Sequence, residues 1–333
     1  RAIVANSGNA NACTGPRGDE ACRALAHLAG EACGLDEENV LVLSTGIIGE
    51  FLPMEKVAAG ISAASQGLSS EPEALVDAAQ AIMTTDTKHK LAGRQLRFGD
   101  TTISLVGMAK GAGMIGPNMA TMLSVVLTDA VIDQADAQGM LAAVVDRTFN
   151  CISVDGHTST NDTVLLLANG KAGGQPLTGN DLETFQVEMQ DLCTELARSI
   201  ASDGEGATHL ITIQVTGCAT VNDATTIARA IADSPLVKTA VAGADPNWGR
   251  IISAAGYAGV NFDVSNTRLR INGELIYENG EPVAFDATRL SESMRDNHET
   301  RIDLQLGEGS NSSRFWTCDL TTDYVHINAD YHT

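Results

Sequence analysis

The sequence predicts a mixed α/β fold in which sheets and helices are layered around buried cores. Segments with a helical apolar period alternate with strand-like runs, which is typical of α/β proteins. Runs of adjacent strands also occur, and a purely parallel, doubly wound sheet would not contain them. The composition agrees, because only 4% of the 333 residues are aromatic and 32 are glycine. Small side chains of this kind suit closely packed layers.

The first third of the chain predicts two short strands, three helices and a hairpin. The strands cover residues 2–5 and 41–43, and the helices cover residues 18–33, 54–66 and 72–83. In the first helix, Leu25 and Ala29 belong to an apolar series with helical spacing. The hairpin covers residues 95–106, and we expect it to turn at Gly99 and Asp100.

Beyond a glycine-rich segment at residues 110–117, strands and helices continue to alternate. Strands are predicted at residues 122–127, 163–168 and 210–216, and helices at about 134–148, 180–202, 222–233 and 286–295. The C-terminal part combines short strands with the last of these helices, and the chain ends after a strand-like run. No internal repeat and no proline-rich linker separates the sequence into independent domains.

Charge and cysteine content limit the kinds of partner and compartment. The formal net charge is −21, so nucleic acids and anionic membranes, which bind basic patches, are not expected as partners. The seven cysteines are odd in number and none is spaced C-x-x-C, which is typical of thiols in a reducing compartment. No apolar run reaches about 18 residues. These features predict a soluble cytoplasmic protein.

The segment KGAGMIGPNMATML at residues 110–123 is the strongest local signal. Three glycines and a proline precede Thr121 at the start of an apolar strand. The segment is not a phosphate-binding loop, because G-x-x-x-x-G-K-[ST] is absent. Two interpretations remain open, namely a tight turn before a core strand and a site of self-cleavage. Glycines would supply the adaptable backbone that self-cleavage needs.

Cleavage before Thr121 would turn this residue into an N-terminal nucleophile. A threonine hydroxyl is a weak nucleophile without an adjacent base, and the freed α-amine can be that base. The pKa of an α-amine is about 7.7–8.0, against about 10.4 for a lysine side chain. A much larger fraction of the α-amine is therefore neutral near physiological pH.

Taken with motifs along the whole chain, this segment resembles the ornithine acetyltransferase family, the bifunctional glutamate N-acetyltransferases of arginine biosynthesis. The other matching motifs are VANSGNANACTG (4–15), LSTGIIGE (43–50), MTTDT (83–87), STNDT (159–163), DGEGAT (203–208), DPNWGR (245–250) and INADYHT (327–333). Members of the family normally carry several tens of residues before the strand that starts here at Ala2. The chain thus resembles the family without its usual N-terminal segment.

The resemblance implies a fold of the N-terminal-nucleophile type and a set of site residues. The family cuts the bond that corresponds to Ala120–Thr121, which would give segments 1–120 and 121–333 packed into one catalytic unit. Thr121 matches the nucleophile. The expected oxyanion hole and substrate contacts match Thr45, Gly46, Thr84, Lys110, Glu205, Asn328 and Thr333.

The resemblance also implies the reaction and the assembly. The nucleophile takes an acetyl group from N-acetylornithine and passes it to glutamate, and some family members also accept acetyl-CoA. No cofactor is expected apart from this co-substrate, and two cleaved chains are expected to form a heterotetramer. The seven histidines show no H-E-x-x-H or paired metal spacing, so no metal is expected either.

Two alternatives stay open at the level of sequence. One is an N-terminal-nucleophile aminopeptidase or amidohydrolase, which would share the self-cleavage but transfer the acyl group to water. The other is an unprocessed protein without enzymatic activity. Residue types at the motif positions favour the transferase, because Glu205 and the segment at residues 328–333 match substrate contacts of the acetyltransferase family.

Overall fold

The computed structural model describes residues 1–116 and 122–330, and it confirms the mixed α/β class. The helices described are α1 (Gly15–Cys33), α2 (Met54–Gln66), α3 (Pro72–Ala81), α4 (Gln134–Arg147), α5 (Gly179–Ser202), α6 (Val221–Ala232), α7 (Pro235–Ala242), α8 (Trp248–Gly256), α9 (Ala287–Asp296) and α10 (Thr322–Asp330). The strands are β1 (Ala2–Asn6), β2 (Val40–Ser44), β3 (Lys90–Phe98), β4 (Thr101–Lys110), β5 (Leu123–Thr128), β6 (Thr163–Ala168), β7 (Leu210–Cys218), β8 (Arg268–Ile271), β9 (Glu274–Glu278), β10 (Glu281–Pro282), β11 (Glu299–Gln305) and β12 (Asn311–Cys318).

A four-stranded sheet joins the two sides of the glycine-rich segment. Its order is β3-β4-β5-β6. Strands β3 and β4 form the predicted hairpin, which turns at Gly99 with a φ of +58°, a conformation that suits glycine. Strand β4 then pairs antiparallel with β5, and β5 pairs parallel with β6. Lys110, the last residue of β4, therefore lies opposite Leu123, the first residue of β5.

Helix α5 lies between this sheet and a six-stranded sheet of order β10-β9-β8-β11-β7-β12. It contacts β3 and β4 of the first sheet and β7 and β12 of the second. Phe185, Met189, Leu192 and Leu196 recur every three or four residues along α5 and are almost completely buried. One hydrophobic core consequently joins both sheets.

The N-terminal residues form a smaller unit on the same molecule. Strands β1 and β2 pair in parallel, and the connection between them contains α1, as a parallel crossover requires. Helix α1 packs on α2, and Leu25 and Leu52 are the largest buried side chains of the small core there. Strand β2 ends at Ser44, so Thr45 and Gly46 begin the loop that leaves this sheet.

Most predicted elements are confirmed with small shifts of their ends, but the hairpin strands are longer than predicted. The prediction of a single helix in the C-terminal part was wrong, because α7, α8 and α10 are also present. The residues just before α7 and α8, Ser234 and Asn247, cap them: their side chains accept hydrogen bonds from the backbone N–H groups of Val237 and Arg250. These helices have only 8 and 9 residues, too few to show a clear helical period.

The prediction that the chain ends after a strand was also wrong, because the last described element is helix α10. Its residues Tyr324, Val325 and Ile327 favour strands by intrinsic propensity. Contacts from elsewhere in the fold override that preference. The Thr321 hydroxyl donates to the carbonyl of Gly206 at 2.6 Å, and the Tyr324 hydroxyl donates to Asp155 at 3.3 Å. No helix in the described ranges is both long enough and apolar enough to cross a bilayer.

Candidate active site

Lys110 is the centre of a buried polar cluster at the end of β4. Its side chain is only 2% exposed, so it is not a solvated surface lysine. The ammonium group donates to the hydroxyl of Thr84 at 2.9 Å and to the hydroxyl of Thr45 at 3.2 Å. Three residues that are far apart in sequence thus meet around one positive charge. Their predicted roles in substrate binding and oxyanion stabilisation remain predictions.

Asp86 fixes the backbone segments that carry Thr84 and Lys110. Its carboxylate accepts hydrogen bonds from the backbone N–H of Thr84 at 3.1 Å and from that of Gly111 at 2.6 Å. It also accepts from the ammonium of Lys90 at 2.7 Å. Both segments are therefore tied to one carboxylate, which lies 4.0 Å from the Lys110 nitrogen.

A second carboxylate completes this buried ionic network. Lys90 donates to Asp203 at 2.6 Å, and Asp203 also accepts from the backbone and hydroxyl of Thr87. Asp203 directly follows α5. The pattern of the sequence did not reveal these partners, because Asp86 and Lys90 lie more than a hundred residues before Asp203.

The charged groups in this network shift each other's pKa values. Burial alone would raise the pKa of Asp86, but the ammonium groups of Lys90 and Lys110 outweigh it and hold that pKa below its usual value. Burial lowers the pKa of Lys110, and the attraction of Asp86 offsets only part of this effect. A buried ammonium of this kind gains stability when another anion binds beside it.

Gly46 makes a close backbone approach that a larger residue could not make. Its φ is +131°, and a Cβ atom at this position would lie 2.3 Å from the carbonyl carbon of Gly8. The flanking residues are held in place, since Thr45 donates its N–H to Asn6 at 3.1 Å and Ile47 donates to Gly8 at 3.3 Å. Glycine is therefore required here by geometry, and the loop is fixed next to Lys110.

The STNDT motif, to which the sequence assigned no role, joins this loop to the second half of the chain. Asn161 donates from its side-chain amide to the carbonyl of Ser44 at 2.9 Å and also to the carbonyl of Ala10. The next residue, Asp162, accepts a hydrogen bond from the backbone N–H of Met122 at 3.0 Å. The motif thus connects the end of β2 with the residue that precedes β5.

Glu205 and Asn328 form the other side of the cluster. The Glu205 carboxylate accepts from the Asn328 amide at 2.8 Å, and the Glu205 N–H donates to Ala112 at 2.8 Å. A Cβ atom on Gly113 would lie 2.5 Å from the Glu205 carboxyl carbon, so the chain passes directly beside this group. The negative charge of Glu205 also acts on Lys110, raising its pKa against the effect of burial.

Asp162 differs from Asp86, because burial outweighs the other effects on its pKa. Its Oδ2 atom is buried and has no hydrogen-bond partner within residues 1–116 and 122–330. Burial raises the pKa of Asp162 to about 7, and backbone hydrogen bonds together with Lys110 counteract only part of the effect. This carboxyl group can therefore gain or lose a proton near neutral pH.

The remaining predicted site residues lie outside the described part of the chain. They are Ala120, Thr121 and Thr333. Among the residues that the structure describes, no group of three or more His, Cys, Asp or Glu side chains is arranged to hold a metal ion. The described cluster combines one buried cation, carboxylates and hydroxyl groups. Such a set can bind a small zwitterionic molecule through its carboxylate and its amine.

Comparison with known proteins identifies the family. A model of the ArgJ family matches residues 1–333. The arginine biosynthesis bifunctional protein ArgJ of Rhodopirellula baltica is 45% identical, with 100% of this chain and 82% of the relative covered. The protein of the same name from Symbiobacterium thermophilum is 48% identical, with 100% and 83% covered.

A solved structure is also similar. The crystal structure of the arginine biosynthesis bifunctional protein ArgJ from Bacillus halodurans is 42% identical, with a TM-score of 0.60. The alignment covers 61% of this chain and 96% of that one. Because the family model spans every residue and the relatives match along the full length of this sequence, the chain belongs to the ArgJ family.

Proposed function

We propose that this chain cuts itself between Ala120 and Thr121 and then transfers acetyl from N-acetylornithine to glutamate through an ester on Thr121. Membership of the ArgJ family makes the chain an acetyltransferase of arginine biosynthesis. The observation that carries the finer proposal is the buried Lys110 ammonium beside the start of β5. Thr121 stands two residues before Leu123, the residue that pairs with Lys110.

The buried cluster suits the feature that both substrates share. N-acetylornithine and glutamate each carry an α-carboxylate, and the Lys110 ammonium is a buried cation hydrogen-bonded only to hydroxyl groups among the described residues. A substrate carboxylate would give this cation a close anionic partner. The hydroxyl groups of Thr45 and Thr84 can then donate hydrogen bonds of their own to the substrate.

Glu205 suits the feature that distinguishes the two substrates. N-acetylornithine has a cationic side-chain amine, and the Glu205 carboxylate is half-buried and held by Asn328. A charge-assisted hydrogen bond between them would stabilise this substrate. Glutamate carries no such amine, so we expect it to depend less on Glu205.

The chemistry requires two acyl transfers. In the first, the Thr121 hydroxyl attacks the acetyl carbonyl carbon, the α-amine of Thr121 takes the hydroxyl proton, and ornithine leaves with a proton on its nitrogen. In the second, the amine of glutamate attacks the ester carbonyl carbon and gives a proton to the α-amine of Thr121. The bond to the Thr121 oxygen then breaks, that oxygen takes the proton back, and N-acetylglutamate leaves. The Thr45 hydroxyl and the backbone N–H of Gly46 would stabilise the oxyanion in both steps, since the Thr45 N–H is already donated to Asn6. One pocket serves donor and acceptor in turn, as in ping-pong kinetics.

The remaining features of the proposal concern the cell and the assembly. We propose that no cofactor takes part, that acetyl-CoA is at most an additional acetyl donor, and that two cleaved chains form a heterotetramer in the cytoplasm. All seven cysteines are free thiols, which suits a reducing compartment. The six residue pairs between β4 and β5 would keep segments 1–120 and 121–333 together after cleavage.

Self-cleavage predicts two fragments on a denaturing gel. The wild-type chain should give segments 1–120 and 121–333, because the Thr121 hydroxyl attacks the preceding carbonyl. Thr121→Ala removes that hydroxyl and should leave one intact chain, whereas Thr128→Ala at the far end of β5 should be cut normally. A wild-type chain that stays intact after folding would contradict the proposal.

Replacing Lys110 by Met should weaken binding of both substrates. Loss of a charged hydrogen bond costs about 1.5–3 kcal/mol, which corresponds to a rise of about 10- to 100-fold in KM for N-acetylornithine and for glutamate. The fold should survive, because Asp86 keeps Lys90 and two backbone donors.

Steady-state kinetics on the cleaved enzyme measures this effect. Lys56→Met is the matched control, since Lys56 is exposed on α2 and its replacement should leave both KM values unchanged. Equal kinetics for Lys110→Met and the wild type would exclude Lys110 from the substrate site.

Glu205→Gln should distinguish the two substrates. We expect KM for N-acetylornithine to rise about 10- to 100-fold, because a neutral amide replaces the charged partner of the side-chain amine. KM for glutamate should stay within about twofold of the wild type or fall. Glu292→Gln, on an exposed face of α9, is the control. Equal rises in both KM values would mean that Glu205 does not read the cationic side chain.

A further inference from the structure

The turn that carries Glu205 is covered by the C-terminal helix α10. The hydroxyl of Thr321, one residue before α10, donates to the carbonyl of Gly206 at 2.6 Å. Asn328 on the helix donates to the Glu205 carboxylate at 2.8 Å. The two backbones approach closely, because a Cβ atom on Gly206 would lie 2.4 Å from the backbone nitrogen of Tyr324. The turn and the first residues of the helix are thus in direct contact.

Helix α10 contributes no buried side chain to the hydrophobic core. Within Thr322–Asp330, which the structure describes in full, every side chain is at least partly exposed. Its two largest aliphatic residues, Val325 and Ile327, are 62% and 38% exposed. Burial of apolar surface therefore does little to hold this helix in place. Because a helix of nine residues is also marginal by itself, its polar contacts with the rest of the fold decide where it lies.

Tyr324 connects α10 to the glycine-rich segment that passes beside Glu205. Its hydroxyl donates to Asp155 at 3.3 Å. The Asp155 carboxylate also accepts from the backbone N–H groups of Met114 at 2.7 Å and Ile115 at 2.9 Å. Burial, together with the charges of Asp155 and Glu205, raises the pKa of Tyr324 to about 12. The hydroxyl consequently stays protonated near neutral pH and remains a donor.

These contacts form a closed ring that includes the Glu205 carboxylate. Glu205 donates its N–H to Ala112 at 2.8 Å, and Asp155 holds the segment that contains Ala112. Asp155 is bonded in turn to Tyr324 on α10. The helix then returns to Glu205 through Asn328. A displacement of α10 would therefore displace the partner that holds the carboxylate.

Such a ring matters for a carboxylate that must bind an amine. An ion pair between flexible, exposed side chains is weak, because both side chains lose conformational freedom when they pair. A carboxylate that is already held in one position avoids part of this loss, so it binds a cationic partner more tightly. Glu205 is half-buried and held in this way.

We propose that Thr321 and Tyr324 are positioning residues that fix α10 on the turn at residues 203–206, so that α10 holds the Glu205 carboxylate for the cationic side chain of ornithine. This inference rests on the proposed function, in which Glu205 binds that side chain. It adds that recognition of the amine depends on contacts that do not touch the substrate. Glutamate has no such amine, so its binding should depend much less on these contacts.

Equilibrium binding of ornithine and of glutamate to the purified protein, measured by isothermal titration calorimetry, tests this role. Thr321→Val removes the donor to Gly206 and keeps the size of the side chain, whereas Tyr324→Phe removes the donor to Asp155 and keeps the ring. Each variant should bind ornithine about 3- to 10-fold more weakly, as is typical for the loss of one hydrogen bond. Binding of glutamate should stay within about twofold of the wild type. Tyr257→Phe is the matched control, since Tyr257 is 65% exposed, and it should leave both affinities unchanged.

A double-mutant cycle with Glu205→Gln separates positioning from a general loss of structure. If α10 acts through the charge of Glu205, Tyr324→Phe should change ornithine binding by less than about twofold once that charge is absent. A purely structural effect would instead weaken the binding of ornithine and glutamate by the same factor, with and without Glu205→Gln. That result would overturn the proposal.

Folding is checked by circular dichroism and by the thermal unfolding midpoint. Because α10 buries no side chain among its described residues, both variants should unfold close to the wild-type midpoint. If one variant does not fold, the other still tests the proposal, since each removes a different contact of α10. Folded variants that bind ornithine as tightly as the wild type would overturn it. Two variants that both fail to fold would also overturn it, because α10 would then serve the fold rather than the site.

The outcomes also distinguish this inference from the proposed function. If Glu205→Gln weakens ornithine binding but Thr321→Val and Tyr324→Phe do not, only the role of α10 is refuted. If Glu205→Gln binds ornithine as tightly as the wild type, Glu205 does not bind the amine, and both proposals are refuted.

Discussion

The buried carboxylate of Asp86 is the interaction on which the site depends. A buried charge is stable only when it is paired and hydrogen-bonded, and loss of one partner of such a pair typically costs about 3–5 kcal/mol. Asp86 meets this requirement through Lys90 and two backbone N–H groups. Those donors come from the loop that precedes β3, from β3 itself and from the residue after β4. One charge therefore aligns the segments that present Thr84 and Lys110, and Asp203 links them to the end of α5.

The second constraint is the sheet that contains both sides of the proposed cut. Strand β5 is flanked by β4, which ends in Lys110, and by β6, which Asp162 precedes. The start of β5 consequently lies between the strand that ends in a buried cation and the strand that follows a buried carboxyl group. The hydrogen bonds of the sheet, rather than an intact chain, fix this arrangement. The proposed cleavage would therefore leave the pairing of β5 with β4 and β6 intact.

The sequence predicted the local features better than the long-range ones. Local patterns in the sequence located α5 and the hairpin turn at Gly99, because both depend on neighbouring residues. The capping residues Ser234 and Asn247 were visible in the sequence, but the helices that follow them were too short for the period to be recognised. Helix α10 was predicted as a strand, since its β-branched and aromatic residues favour strands and only its contacts with the rest of the fold reveal the helix.

The same distinction applies to the candidate site. The family motifs drew attention to Thr45, Lys110 and Glu205, and the structure brings these residues into one cluster. Pattern alone gave no reason to pair Asp86 with Lys90 and Asp203, or Asp162 with Met122. Those pairs are created by α5 lying on β3 and by the parallel pairing of β5 with β6. Both are consequences of the tertiary fold, so no local signal announces them.

The central claim, an acetyl ester on Thr121, is tested most directly by mass spectrometry of the cleaved enzyme. Incubation with N-acetylornithine in the absence of glutamate should add the mass of one acetyl group to segment 121–333, at Thr121. Subsequent addition of glutamate should remove this acetyl group and produce N-acetylglutamate. Release of free acetate without formation of N-acetylglutamate, or an acetyl group on any other residue, would contradict the account.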